Sequence, residues 1–104
     1  MQYIGKIDKS KFRLITKDIT TNKVILTEKQ KQHIKERHPN DYEQYYSYIK
    51  KIVEDPDYII RDVKPNTGFL LKEFIRNNKI FQLILRLDTS GDSKKYKNSV
   101  ITFF

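Results

Sequence analysis

The apolar positions between residues 42 and 53 recur at the spacing of a helix. They follow an i, i+3, i+4, i+7 pattern, which is typical of a helix with one face on a core. Asn40 begins this helix, Glu43 completes a capping box, and Pro56 closes it. The tyrosines of this segment could stack on nucleic-acid bases, but the helical period favours the core, with Tyr48 on the outer side. The inward-facing positions are Tyr42, Tyr45, Tyr46, Ile49, Ile52 and Val53.

A shorter helix is predicted just before it, in the sequence ILTEKQKQHIKERHP at residues 25–39. Thr27 is a suitable N-cap, and Gln30 stands where its side chain can bond back to the cap amide. Pro39 ends the helix, because the residue before a proline is disfavoured in the helical conformation. Ile34 is the main apolar residue, so the helix gains little from packing and its polar side chains require another explanation.

The sequence of residues 58–104 predicts strands and turns. Asn77-Asn78 lies between two apolar runs and indicates a hairpin with a two-residue turn. Residues 64–68 (KPNTG) form a turn by composition, and residues 88–97 form a polar loop. The predicted strands are Tyr58–Val63, Phe69–Arg76, Lys79–Leu87 and Asn98–Phe104. N-terminal helices packed on a roughly four-stranded antiparallel sheet place the chain in the α+β class.

The hairpin register determines which side chains share a face of the sheet. A two-residue turn pairs Arg76 with Lys79. One face is then apolar and expected under the helices: Leu70, Phe74, Phe81, Leu83, Leu85 and Leu87, with Lys72 as the polar exception. The other face is mixed and expected to be open to a ligand: Leu71, Glu73, Ile75, Gln82, Ile84 and Arg86. A slip of one residue would exchange the two faces.

The length of 104 residues indicates a single domain with one core. Residues 24–104 hold the strong helix and strand patterns. Residues 1–23 contain two segments of weak alternation, 2–7 and 12–16, which form either a short hairpin or an extended arm left from a longer polypeptide. No signal peptide is visible, and no apolar run approaches the roughly 18 residues of a membrane span.

The net charge is +8, and it is unevenly distributed. Residues 1–40 carry ten basic and four acidic residues, residues 41–63 carry three and six, and residues 64–104 carry eight and three. The first helix and the C-terminal strands are therefore basic, and a polyanion such as RNA is the expected partner. The alternative is a basic protein kept soluble by its lysines. The absence of cysteine fits a reducing compartment and excludes thiol chemistry.

The candidate chemistry lies on the first helix, where His33 and Arg37 are four residues apart and share one face. A histidine that exchanges a proton beside a guanidinium that binds phosphate suits reactions at phosphate. The alternative is a solvated basic helix with one partly buried histidine. His38 lies four residues after Ile34, so it leans towards the core side. It is either a structural residue at the helix end or an RNA contact. Metal catalysis is not indicated, since two histidines without cysteine lack a convincing third ligand.

Three short motifs, in this order along the chain, resemble those of a known ribonuclease superfamily. They are ILTEKQKQHIKERHP at residues 25–39, EDPDYII at 54–60 and NSVIT at 98–102. Together with the predicted layout they resemble the superfamily of barnase, EndoU, tRNA-cleaving colicins and RelE. The resemblance is strongest to its phage-type members, found as C-terminal toxin domains of phage head morphogenesis and polymorphic toxin proteins. It spans about residues 24–104 and does not cover residues 1–23.

The resemblance implies cleavage of RNA, with tRNA as the expected substrate, without a metal or other cofactor. The RNA's own 2′ hydroxyl attacks the adjacent phosphate, assisted by a base, an acid and cations. His33 is the first candidate for acid or base, Arg37 is the candidate for binding the phosphate, and Glu73 is a reserve base. The other catalytic candidates are Lys72, Arg86 and Thr102, and the candidates for holding RNA or phosphate are Lys35, His38 and Ser99.

The resemblance also implies a toxin that acts in the cytoplasm, with delivery into a target cell as part of a larger protein as one route. An acidic immunity or antitoxin protein would then cover the basic cleft. Two other interpretations stay open: a non-catalytic RNA-binding module, and a protein-interaction domain of a phage or mobile-element structural protein. Loss of cleavage on substitution of His33 separates the first from the second, and a steep salt dependence of RNA binding argues against the third.

Overall fold

The computed structural model describes residues 2–74, 79–92 and 97–103, of which 102 and 103 are described by their backbone alone. Within these residues the fold is α+β, as the sequence predicts, with two helices and one sheet of six strands. No helix in the described part of the chain is long and apolar enough to cross a membrane. The elements are β1 (Gln2–Lys6), a 3-10 helix (Lys9–Phe12), β2 (Lys23–Leu26), α1 (Glu28–Arg37), α2 (Tyr42–Glu54), β3 (Tyr58–Arg61), β4 (Thr67–Phe74), β5 (Lys79–Arg86) and β6 (Asn98–Phe103).

The sheet is larger than the four antiparallel strands that the sequence predicts, and it is mixed. Its order is β1-β2-β6-β5-β4-β3, and every neighbouring pair is antiparallel except β2 and β6, which are parallel. The two additional strands come from the N-terminal part of the chain. With only four residues, β2 is too short for alternation to distinguish it from a lead-in to α1.

Residues 2–23 are part of the sheet and of the core. The structure pairs β1 with β2, and the hairpin predicted between residues 2–7 and 12–16 is not formed. Phe12 lies in the short 3-10 helix and is fully buried. Ile4, Ile7 and Ile15 join the same core cluster. Apolar contacts with distant elements therefore decide the conformation of this segment, whose own alternation is weak.

Both helices lie on one face of the sheet. In α2, Ile49, Ile52 and Val53 are fully buried, which confirms the core-facing stripe. The prediction that Tyr48 faces outward is wrong, because only 9% of it is exposed. Its ring lies 4.7 Å from that of Phe74 and 4.9 Å from that of Phe81, centroid to centroid. These two phenylalanines extend the apolar surface of β4 and β5 beyond the residues that the α2 stripe contacts. This extended surface covers Tyr48.

The ends of α1 follow the sequence signals. The Thr27 hydroxyl accepts a hydrogen bond from the backbone N–H of Gln30 at 3.3 Å, as expected of an N-cap. The helix ends at Arg37, and the N–H of His38 donates to the carbonyl of Ile34 at 2.9 Å. Pro39 then prevents continuation. This short helix is therefore fixed at both ends by hydrogen bonds. Its contact with the core comes from one buried residue, Ile34.

The start of α2 differs from the prediction. The helix begins at Tyr42, not at Asn40, and the side chain of Asp41 makes no capping hydrogen bond. Residues 39–41 instead form the turn that reverses the chain between α1 and α2. The carbonyl of Asp41 accepts from the N–H groups of Gln44 and Tyr45. A short connection is needed to pack the two helices side by side, and it uses the residues that resemble a capping box.

The β4–β5 pair keeps the predicted faces with a different register. Phe74 pairs with Lys79 and Leu70 pairs with Leu83, a shift of two residues from the predicted pairing. Asn77-Asn78, the predicted turn, and the predicted partner Arg76 lie outside the described residues. Side chains alternate with a period of two, so a shift of two leaves every residue on its face. The predicted apolar face is confirmed, since its leucines at positions 70, 83, 85 and 87 are buried.

The opposite face of the sheet, here called the open face, carries exposed apolar side chains. Tyr3 is 49% exposed, Tyr58 66%, and Ile80 64%. One row of this face crosses four strands, because Tyr3 pairs with Ile25, Ile25 with Ser99, and Ser99 with Arg86. A β-bulge between Ile84 and Leu85 interrupts the β5–β6 ladder beyond this row.

Candidate active site

In α1, His33 and Arg37 share one face, and Arg37 also neighbours the buried Ile34, which it follows by three residues. Because Ile34 is buried in the core cluster, the orientation of the helix about its axis is fixed. His33 is half-buried and Arg37 is exposed. Neither side chain forms a hydrogen bond or an ion pair with any other residue that the structure describes. A proton-exchanging group and a cation, one helical turn apart, are thus both available to a ligand.

Lys35 lies on the same helix and is partly fixed by an aromatic ring. Its Nζ is 5.1 Å from the ring centroid of Tyr42, which is within the range of a cation–π contact. The side chain remains exposed. Its charge therefore adds to that of Arg37 at the C-terminal half of α1, where it is also favoured by the helix dipole.

His38 is held by its surroundings. Its ring stacks on Tyr45 with a centroid separation of 3.7 Å, and Tyr45 in turn lies edge-on to Phe81 at 5.9 Å. Its Nδ1 is 3.8 Å from Oδ1 of Asp41, too far for a hydrogen bond but close enough for attraction when the ring is protonated. The side chain keeps 32% of its surface exposed. His38 therefore combines the structural contacts expected at a helix end with a partly accessible ring.

Lys72 lies on the helix-covered side of the sheet and is engaged by acidic groups. Its Nζ donates to the carbonyl of Asp55 at 2.8 Å and lies 3.4 Å from Oδ2 of Asp55 and 3.5 Å from Oδ1 of Asp57. The pKa of Asp57 is lowered, first by a hydrogen bond from the backbone N–H of Glu73 and then by Lys72. Lys72 thus ties β4 to the α2–β3 connection, and it lies on the opposite face from Arg86.

Arg86 lies on the open face and is paired with Asp92, a residue that the sequence analysis did not single out. Two guanidinium nitrogens donate to the two carboxylate oxygens at 2.8 and 3.3 Å. The N–H and hydroxyl of Thr89 also donate to Asp92. The Arg86 hydrogen bond, followed by that from the Thr89 N–H, lowers the pKa of Asp92 to about 2. The charge of Arg86 is therefore largely neutralised within the protein.

Ser99 and Thr102 both lie in β6. Ser99 is half-buried beside Arg86 and Ile25, and its hydroxyl has no hydrogen-bond partner among the described residues. The backbone of Thr102 pairs with that of Ile84, but its side chain lies outside what the structure describes. Of these two side chains, that of Ser99 can be assigned to a face of the sheet. It lies on the open face, beside Arg86.

Glu73, the reserve base, is exposed on the open face at the far end of β4. Arg86 pairs with Thr67, so six residues of β4 separate Glu73 from the row of Arg86. At a rise of about 3.3 Å per residue this separation is about 20 Å. Glu73 and Arg86 consequently cannot act on the same phosphate.

The predicted site residues with described side chains thus fall into four groups rather than one cluster. The first group lies on α1 and at its C-cap: His33, Lys35, Arg37 and His38. Lys72 stands apart on the helix side of the sheet, Arg86 with Ser99 lies on the open face, and Glu73 lies at the far end of that face. Asp92 was missed because it lies in a polar loop, residues 88–97, whose composition indicates only a turn. Its charge, opposite to that of Arg86 and six residues away, was the one available signal.

A family model described as "phage-Barnase-EndoU-ColicinE5/D-RelE like nuclease2" matches residues 1–104, which is the whole chain. The match therefore includes residues 1–23, which the motif resemblance does not cover. No curated protein and no solved structure matches significantly.

Proposed function

We propose, from the premise that the chain belongs to the phage-Barnase-EndoU-ColicinE5/D-RelE like nuclease 2 family, that it is a metal-independent toxin endoribonuclease. The family supports a nuclease. The net charge of +8 supports a nucleic-acid substrate. The choice of RNA, and of tRNA in particular, extends the family resemblance of the three sequence motifs.

The proposed reaction is transesterification within the RNA. The 2′ hydroxyl loses its proton and its oxygen attacks the adjacent phosphorus. The bond from phosphorus to the 5′ oxygen of the next nucleotide breaks, and that oxygen takes up a proton. The products are a 2′,3′-cyclic phosphate and a free 5′ hydroxyl. The protein has to supply proton transfer and positive charge beside the phosphate, and neither requires a metal ion.

One observation carries the assignment of the chemistry to α1. Of the predicted catalytic residues with described side chains, His33 and Arg37 have no partner among the described residues, whereas Lys72 and Arg86 are paired with aspartates. We assign proton transfer to His33, because histidine exchanges protons near neutral pH. We assign Arg37 to the phosphate, because a guanidinium can donate two parallel hydrogen bonds to phosphate oxygens.

A toxin of this kind requires a protein that restrains it in the cell that makes it. We propose an acidic immunity or antitoxin protein, because the basic surface of α1 would attract it electrostatically. The site of action is then the cytoplasm of the cell in which RNA is cleaved. This part of the proposal is supported by charge and by the motif resemblance.

The first experiment compares wild type with His33→Ala on total tRNA in buffer that contains EDTA. We expect wild type to produce discrete fragments, and the variant to cleave at least about 100-fold more slowly, as when a general acid or base is removed. Gln32→Ala is the matched control, because Gln32 is exposed on the same helix and, among the described residues, its side chain makes only a 3.3 Å hydrogen bond to Glu36. This control should cleave at the wild-type rate.

Each other outcome has a definite meaning. Cleavage that needs an added divalent metal would contradict metal independence. Cleavage that survives in His33→Ala would contradict the assignment of proton transfer to His33. Folded wild-type protein that binds tRNA and cleaves no RNA would contradict the enzyme and support a binding module. Circular dichroism of each variant verifies that the fold is intact.

A further inference from the structure

A cleft at the β1 edge of the open face is used by none of the catalytic assignments. It has a volume of about 400 Å³, and its lining residues are Tyr3, Lys23, Ile25 and Lys97. This volume lies in the range of sites that bind small organic molecules. The cleft is formed by β1, by β2 and by Lys97, the residue just before β6, so three neighbouring segments of the chain hold its walls.

The floor of the cleft is apolar and partly aromatic. Tyr3 and Ile25 are cross-strand partners, so their side chains stand next to each other on the open face. The backbone of Tyr3 is held by the hydroxyl of Tyr46, which donates to its carbonyl at 3.0 Å. The Tyr3 side chain keeps 49% of its surface exposed, whereas Ile25 keeps 9%. The result is an accessible ring, on a backbone held by Tyr46, beside a buried aliphatic surface.

The rim of the cleft is cationic. Lys23 and Lys97 are exposed, and neither forms an ion pair with another residue in the described ranges. Unpaired ammonium groups beside an apolar floor favour a ligand that has a flat apolar part and a negative charge. A nucleotide has both, whereas an apolar peptide would leave the two charges without a partner.

We infer that this cleft is a subsite for one unpaired nucleotide of an RNA strand. The base lies against Tyr3 and Ile25, and the flanking phosphates are bound by Lys23 and Lys97. Ser99, the parallel-strand neighbour of Ile25, lies beside the cleft on the open face. The inference rests on the proposed function for its natural ligand, RNA, and it defines the substrate as single-stranded at this position.

The experiment measures binding with a probe that the proposed chemistry cannot cleave. A fluorescein-labelled 2′-O-methyl RNA of ten nucleotides is titrated with protein, beside the same strand in which the bases are replaced by abasic residues. Wild type should bind the complete strand more tightly than the abasic strand. Tyr3→Leu should weaken binding of the complete strand roughly tenfold and remove its advantage, because a stacked base contributes about that factor. Tyr3→Phe, which keeps the ring, should bind as wild type does.

Two further variants test the geometry. Tyr58→Leu is the matched control, because Tyr58 is also exposed on the open face but lies in β3 at the opposite edge. It should change affinity less than twofold. Lys97→Gln should lower the slope of log affinity against log salt concentration by about 0.7, the contribution of one phosphate contact with single-stranded nucleic acid.

The outcomes separate this inference from the proposed function. Equal effects of Tyr3→Leu and Tyr58→Leu, or equal affinity of wild type for the complete and abasic strands, would overturn the subsite even if the protein cleaves tRNA. Base-dependent binding lost in Tyr3→Leu, in a protein that cleaves no RNA, would uphold the subsite and overturn the enzyme. Circular dichroism should be unchanged in Tyr3→Leu, since half of the side chain is exposed.

Discussion

At the scale of single residues, the availability of a cation depends on its partners more than on its position in the sequence. Lys72 and Arg86 are paired with aspartates in the folded protein, while Arg37 has no partner among the described residues. Residue types that suit the chemistry can be predicted from sequence. The pairing cannot, because Asp57 and Asp92 reach these cations through turns whose geometry depends on the whole fold.

The ion pair of Arg86 and Asp92 predicts a particular pH dependence of stability. Asp92 has a pKa lowered from 3.8 to about 2 in the folded protein. Because the folded pKa is depressed, the pair stabilises the protein fully above about pH 4, and this contribution is lost as the pH falls towards 2. We expect Asp92→Asn to unfold at lower urea concentration than wild type at pH 7. The difference should shrink below pH 4 and disappear near pH 2.

A double-mutant cycle is the control for this prediction. Arg86→Gln removes the other partner, so Asp92→Asn should destabilise this variant less than it destabilises wild type, and what remains comes from the hydrogen bonds of Thr89 to Asp92. Urea midpoints at a series of pH values give the measurement. Additive effects of the two substitutions would contradict a stabilising pair.

At the scale of elements, long periodic segments could be predicted and short ones could not. The α2 stripe, the faces of β4 and β5, and the ends of α1 follow from period and capping residues, which are local signals. In contrast, β2 has four residues and its parallel pairing with β6 joins segments more than 70 residues apart. No local pattern encodes such a pairing, and side chains that bridge the two segments have to stabilise it.

Asn98 is the side chain that joins these segments. It is fully buried at the start of β6. Its Nδ2 donates to the carbonyls of Thr21 at 2.7 Å and Lys23 at 3.0 Å, and its Oδ1 accepts from the N–H of Asp88 at 2.7 Å. One amide group thus satisfies backbone groups of β2, of its preceding loop and of the segment after β5.

Substituting this residue tests its contribution. Asn98→Ala should lower the free energy of unfolding by about 3 kcal/mol, because it leaves buried backbone groups without partners at about 1–3 kcal/mol each. Ser99→Ala, at the next residue on the opposite face, should change stability by less than about 0.5 kcal/mol. Urea denaturation of both variants gives the comparison. Equal stability of the two variants would show that water or local rearrangement replaces the Asn98 bonds.

At the scale of the whole molecule, the α+β class and the helix-covered face could be predicted, but the extent of the sheet could not. Residues 1–23 have weak alternation, so their sequence does not separate an arm from a strand. Their place follows from the core they complete: Ile4, Ile7, Phe12 and Ile15 are all buried in it. The predicted site is divided because the position of its residues also depends on the whole fold. The three motifs are ordered along the chain, but the sheet separates the candidate residues on α1 from Arg86 and Ser99.

The buried position of Phe12 leads to the prediction that the chain unfolds as one unit. The Phe12 side chain is fully buried in the same cluster as the α2 and β5 residues. We expect Phe12→Ala to lower the free energy of unfolding by about 3–5 kcal/mol, which is a large part of the total for a domain of this size. Leu14→Ala, at a site 52% exposed, should cost less than about 1 kcal/mol. Urea unfolding followed by tyrosine fluorescence and circular dichroism should give coincident single transitions. A midpoint that Phe12→Ala leaves unchanged would mean that residues 1–23 are an arm and that residues 24–104 fold without them.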